Sequence, residues 1–131
     1  MKNVSIGKLK QYQDVDIKAT LATASPHKQI DMLFEGALKF LVQAKVAIEH
    51  NNIEGRTHNI NKASDIVFAL NDYLDFDKGG EISENLSLLY DYMIRRLAKA
   101  NKENSVEACD EVLKLIVEIR SGWHAMPIDY K

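Results

Sequence analysis

Glu54 and His58 stand four residues apart, a spacing that places a carboxylate and an imidazole on one face of a helix, where they could hold a metal ion weakly. A helical bundle that builds a di-iron centre needs more: Glu-x-x-His on two helices and two further glutamates. None of His27, His50, His58 or His124 has a glutamate three residues before it, so a solvated Glu54–His58 pair is the simpler reading. His58 could instead carry a phosphoryl group, but phosphotransfer histidines have Lys and Gly following in fixed positions. Here "HNINKAS" puts Lys62 four residues on, with Ala63 behind it. Cys109 falls on an apolar stripe with no histidine near it in sequence and reads as a small buried hydrophobe. Arg95 and Arg96 read as partners for acidic neighbours, such as Asp91 one turn before Arg95. The glycines of "DKGGE" follow no strand and mark a turn, not a phosphate loop. The residues assemble no catalytic site, and no cofactor or metal is expected.

The frame that would carry any chemistry is small. A chain of 131 residues suits one domain with one core, and needs neither metal nor disulfide to fold. Seventeen basic and nineteen acidic residues leave a net charge of −2, which argues against a nucleic-acid partner. No apolar run approaches the roughly 20 residues of a membrane span, and "MKNVSIGKLKQYQ" lacks the apolar centre of a signal peptide. With Cys109 as the one cysteine, no intramolecular disulfide can form, and the cytosol is the expected compartment.

The pattern between Pro26 and Pro127 is helical throughout, with no strand-like alternation. Residues 1–24 carry few apolar groups and read as a mobile arm, with a short helix expected from Asp14 to Leu21. Ser25 and Pro26 open the first long helix as cap and first helical residue. Its inward stripe is Ile30, Leu33, Phe34, Ala37, Leu38, Leu41, Ala44 and Ile48, and it ends near Asn51. A second helix is expected from Ile53 to Leu74, a third from Gly80 to about Ala100, and a fourth after a capping box of Asn104 and Glu107. Short connections make neighbours antiparallel. The expected fold is all-α: an antiparallel, up-down-up-down four-helix bundle over residues 25–126, with a flexible N-terminal arm at 1–24 and a C-terminal tail at 127–131.

These helices carry more apolar residues than one core can use. In "GGEISENLSLLYDYMIRRL", Ile82, Leu86, Leu89, Met93 and Leu97 form the stripe expected to hold the bundle, while Leu88 and Tyr92 point elsewhere at 100° per residue. Met32, Val42 and Val46 on the first helix, Phe68 and Tyr73 on the second, and Val106, Leu113 and Val117 on the fourth are also displaced. Monomers rarely leave large contiguous apolar patches bare, so an arm, amphipathic helices of a partner, or a second copy must cover them. Homodimerisation stays open.

The stretches "ASPHKQIDMLFEGALKFLVQAK", "KASDIVFALNDYLDFDKGGEISENLSLLYDYMIRRLAKAN" and "VLKLIVEIRSGW" resemble the flagellin export chaperone family, FliS. The resemblance covers the chain from about Tyr12 to Trp123. It implies a cytosolic, non-enzymatic bundle that binds the disordered C-terminal segment of flagellin, prevents premature polymerisation and aids export. It also implies an N-terminal segment around Tyr12 that lies against the bundle. Joined to the displaced residues, it gives an expected partner-binding set of Tyr12, Met32, Val42, Val46, Leu88, Tyr92, Leu113 and Val117. Other flagellar export or regulatory proteins remain open as partners. The rival readings are a self-associating helical adaptor and a phosphotransfer bundle.

Overall fold

The computed structural model describes residues 26–125. The expected arm, its helix from Asp14 to Leu21, the Ser25 cap, Tyr12 and the tail all lie outside these residues. Among the described residues every regular element is a helix: α1 (Pro26–Glu49), α2 (Ile53–Asp72), the single turn α3 (Phe76–Gly79), α4 (Glu81–Glu103) and α5 (Val106–Ala125). The chain divides into two compact units, Met1–Met32 and Leu33–Lys131. The first contributes only the opening turns of α1 to the described part. The packing below belongs to the second.

Three junctions explain why the long helices stop and restart where they do. Two residues past the end of α1, Asn51 adopts a left-handed φ of 55° that Asn tolerates better than most residues. Asn52 then donates its N–H to the Ala47 carbonyl at 2.8 Å, and its side chain accepts the Gly55 N–H at 2.9 Å to cap α2. A Cβ on Gly55 would meet the Asn52 amide at 2.6 Å, so glycine leaves room for the cap. The same device recurs between α4 and α5. Asn104 is left-handed at φ 54°, and the Ser105 hydroxyl accepts the Ala108 N–H at 3.1 Å. The expected capping box of Asn104 and Glu107 is therefore corrected: Asn104 closes α4, and Ser105 opens α5. Between α2 and α4, Asp75 caps the extra turn α3 through Lys78 N–H, and Gly80 turns the chain at φ 49°.

Cross-helix pairs fix the topology. On α1 and α5, Glu35 meets Arg120 and Lys45 meets Asp110, so numbers rise on one helix as they fall on the other, and Cys109 reaches the Leu41 carbonyl between the same two helices. Arg56 and Thr57 at the start of α2 reach Asn101 near the end of α4. Arg96 of α4 meets Glu111 of α5. A short turn folds α2 back on α1, where Ile66 approaches Gly36. These pairs set α1 antiparallel to α5, α2 to α4 and α4 to α5. This is the expected up-down-up-down bundle with one turn added.

The core holds Phe34, Leu41, Ile60, Val67, Leu70, Met93, Leu97, Val112 and Ile116, all buried. Two expectations about it need correction. Ile82 is 59 % exposed, because the first turn of α4 packs on α3 through Ser83, which is buried and donates to the Asp75 carbonyl. Phe40, absent from the expected stripe, is buried. Gly36 and Ala47 are buried on α1 as well, and Gly36 lies against Ile66 of α2.

Candidate functional site

Among the described residues, no group of three or more His, Cys, Asp and Glu is placed to share a metal. The Cys109 thiol is buried, points its S–H at the Leu41 carbonyl at 3.7 Å, and is pushed up by that burial to a pKa of about 11. A thiol so rarely ionised is a poor nucleophile. Arg95 meets Asp91 at 3.6 Å, as its spacing suggested, while Arg96 reaches across to Glu111.

The surplus apolar residues are more informative. On the α1–α5 side, the register carried by the cross-helix pairs sets Val42 across from Leu113, and Leu38 across from Val117. Val42 and Val117 are each about half exposed, at 51 % and 48 %, whereas Leu38 and Leu113 lie half-buried beneath them. Val46 continues the exposed line one turn further along α1.

Two ion pairs bracket this strip. Lys45 meets Asp110 at 2.7 Å at one end, and Arg120 meets Glu35 at 3.2 Å at the other. Ten residues of helix separate them, about 15 Å. Lys114 adds a second cation to Asp110 at 3.1 Å. The hydrogen bond from Lys45, then that from Lys114, holds the Asp110 carboxyl below its usual range, and Asp110 in turn raises Lys45. The charges are satisfied within the bundle, so the surface between them is left to apolar contact.

The other flank of α5 differs. Leu88, 70 % exposed, stands one turn before Tyr92 on α4. Tyr92 is half-buried, and its hydroxyl donates to Glu111 at 2.6 Å. The expected outward pair is therefore unequal, with Leu88 facing solvent and Tyr92 committed to α5. Of the other expected site residues, Met32 is half-buried at the end of the first unit, and Tyr12 lies outside the described residues. The structure brings Val42, Val46, Leu113 and Val117 to one surface and leaves Leu88 and Tyr92 on a second.

The chain matches the family described as Flagellar protein FliS over residues 8–129. The chain belongs to the FliS family. It is 38 % identical over 124 residues to the Flagellar secretion chaperone FliS of Vibrio cholerae, covering 95 % of this chain and 91 % of that one. It is 44 % identical over 115 residues to the Flagellar secretion chaperone FliSB of Pseudomonas aeruginosa, covering 88 % and 91 %. The Salmonella typhimurium FliS chaperone is 42 % identical over 116 residues, covering 88 % and 86 %. FliS is a family of chaperones and not of enzymes, which agrees with the expectation of a non-catalytic bundle. Among the described residues no helix is long and apolar enough to cross a membrane.

On this FliS-family bundle, sequence reasoning missed the polar frame of the strip. The pairings of Glu35 with Arg120 and of Lys45 with Asp110 carry no local signal, because the partners are 85 and 65 residues apart. Leu38, expected in the core stripe, is half-buried and lies on the α1 face that carries Glu35, Val42 and Lys45. Its position one turn before Val42 on α1 was the available clue.

Proposed function

We propose that the protein is a cytosolic flagellar export chaperone that binds the disordered C-terminal segment of flagellin, keeping it from polymerising before export. The observation that carries this reading is the strip of Leu38, Val42, Leu113 and Val117 held between two internally satisfied ion pairs. Such a surface suits the apolar face of a helix about three turns long, laid along α1 and α5.

The magnitudes favour a client that spreads. Covering a valine that is already half-buried contributes roughly 1 kcal/mol, whereas ordering a disordered segment costs about 2–5 kcal/mol. One strip barely offsets that cost. Additional surface, such as that around Leu88 on the far flank of α5, is needed for useful affinity. Tyr12 belongs to the proposed set on the strength of the family resemblance alone, and Met32 on its displacement from the inward stripe of the first helix.

Calorimetry of the protein with a peptide covering the flagellin C-terminal segment tests the reading. A saturable complex that weakens when Val42 and Val117 are changed to Ser is expected. No heat and no complex at high micromolar concentration would exclude flagellin's C-terminal segment as the client.

A further inference from the structure

The turn between α2 and α4 carries a surface that the client strip does not use. Phe76 and Ile82 are 50 % and 59 % exposed, and neither contributes to the core. They are drawn to one place by the fold of the turn. The Ser83 hydroxyl donates to the Asp75 carbonyl at 2.9 Å, so the residue after Ile82 is bonded to the residue before Phe76. α3 packs on the first turns of α4, with Gly79 so close to Ser83 that a Cβ there would collide with its hydroxyl. The two apolar side chains therefore project from a braced turn.

Charge surrounds them on one side of the scale. Residues 72–84 hold Asp72, Asp75, Asp77, Glu81 and Glu84 against the single cation Lys78, in a chain whose total net charge is only −2. Asp75 is used as the α3 cap, and Glu81 and Glu84 suit the positive end of the α4 dipole. Asp72 has no such excuse, because it sits in the last turn of α2, where the dipole is already negative and no basic residue offsets it. All five carboxylates are exposed, and among the described residues none of them forms an ion pair, so their charge is open to a partner's cations.

We propose that the α2–α4 turn is a second docking surface, and that its occupant is a basic amphipathic helix of another protein. Leucine-like residues of that helix cover Phe76 and Ile82, and its lysines or arginines face the five carboxylates. The complementary charges raise the rate of encounter, and the apolar pair limits dissociation. The surface is separate from the client strip, so both can be occupied together.

The test uses the full chain in about 0.15 M salt, where weak long-range attraction is screened. The probes are a helical Leu/Lys peptide, a Leu/Glu peptide of the same pattern and a Lys/Ser peptide. The Leu/Lys peptide should bind, with NMR shift changes centred on residues 72–84. Changing Phe76 and Ile82 to Ser should weaken it about tenfold, as should the separate double change Asp72→Asn with Asp77→Asn. All four side chains are exposed, so thermal unfolding should stay near the parent's; the acidic pair serves alone if the apolar pair unfolds. Failure of the Leu/Lys peptide to bind overturns the proposal. So does equal binding of either control peptide, or a shift map centred on the α1–α5 strip. A lower sedimenting mass on changing Phe76 and Ile82 would make the occupant a second copy. Binding only after removal of residues 1–20 would assign the surface to the chain's own beginning. Either result also overturns the proposal. Flagellin-peptide binding is read separately with the same Ser variants and should not change.

Discussion

Tyr92 and Arg96, one turn apart on α4, take the two oxygens of the same Glu111 carboxylate on α5. The hydroxyl donates to Oε2 at 2.6 Å and the guanidinium Nε to Oε1 at 2.7 Å. Both oxygens are held by donors, one of them charged, and such bonds exceed neutral ones in strength. The bond from Tyr92, and after it that from Arg96, keeps Glu111 below the usual carboxylate range, and Glu111 in turn raises Tyr92. This clamp fixes the edge of α4 from which Leu88 projects.

Changing Glu111 to Gln should therefore loosen α4 from α5 more than changing Tyr92 to Phe, because it weakens two bonds instead of one. Thermal midpoints of the two single variants and the double variant form a cycle that measures the coupling. Strict additivity would mean that the clamp carries no shared energy.

The clamp also predicts a pH dependence. Glu111 and Asp110 both titrate lower when folded than their ordinary values of 4.5 and 3.8. Their contribution is full above those values and is lost as pH falls through the depressed folded ones. Thermal stability should decline below about pH 4.5, and the variant carrying Glu111→Gln and Asp110→Asn should decline less steeply. An unchanged slope in that variant would place the acid sensitivity elsewhere.

Core and strip should separate cleanly under mutation. Met93 is fully buried, so Met93→Ala should cost about 2–5 kcal/mol in denaturant unfolding. Val42→Ser and Val117→Ser, at half-exposed sites, should cost much less stability yet weaken the flagellin peptide. Equal destabilisation by all three would show that the strip is part of the core.

Leu88→Ser isolates the second flank of α5. At 70 % exposure it should change stability by less than about 0.5 kcal/mol. A loss of peptide affinity with Val42 and Val117 intact would show that the client reaches both flanks. Unchanged affinity would confine it to the α1–α5 side.

Gly36 tests the closeness of α1 and α2. A Cβ there would stand 3.1 Å from Ile66 Cδ1, the end of a flexible side chain that can move slightly. Gly36→Leu should overpack the interface and cost about 1–3 kcal/mol in denaturant unfolding. A stability equal to the parent's would mean that the two helices separate easily.

Much of this bundle was legible in local sequence. Helix periodicity, the breaks at "HNN" and "DFDKGG", and buried positions such as Leu41, Val67, Met93 and Val112 follow from spacing, because a helix maps sequence onto its own faces. Phe40 and Ile82 were misplaced for one reason: burial at the edge of a stripe depends on where the neighbouring helix starts and how closely it approaches. Asn104 was misassigned because Asn serves at both ends of a helix, and only the backbone angle distinguishes the roles.

By itself, the sequence determined the helical class, the count of long helices, their antiparallel order and the surplus of apolar residues. All of these rest on interactions within a few turns of chain. Only the tertiary structure decided which surplus residues share a surface. The ion pairs between α1 and α5 set Val42 and Leu113 in register, while Tyr92 is joined to Glu111 on the other flank of α5. It alone joined Lys45 to Asp110 and Tyr92 to Glu111. Such pairs depend on the register between helices, and packing of the whole core sets that register at once.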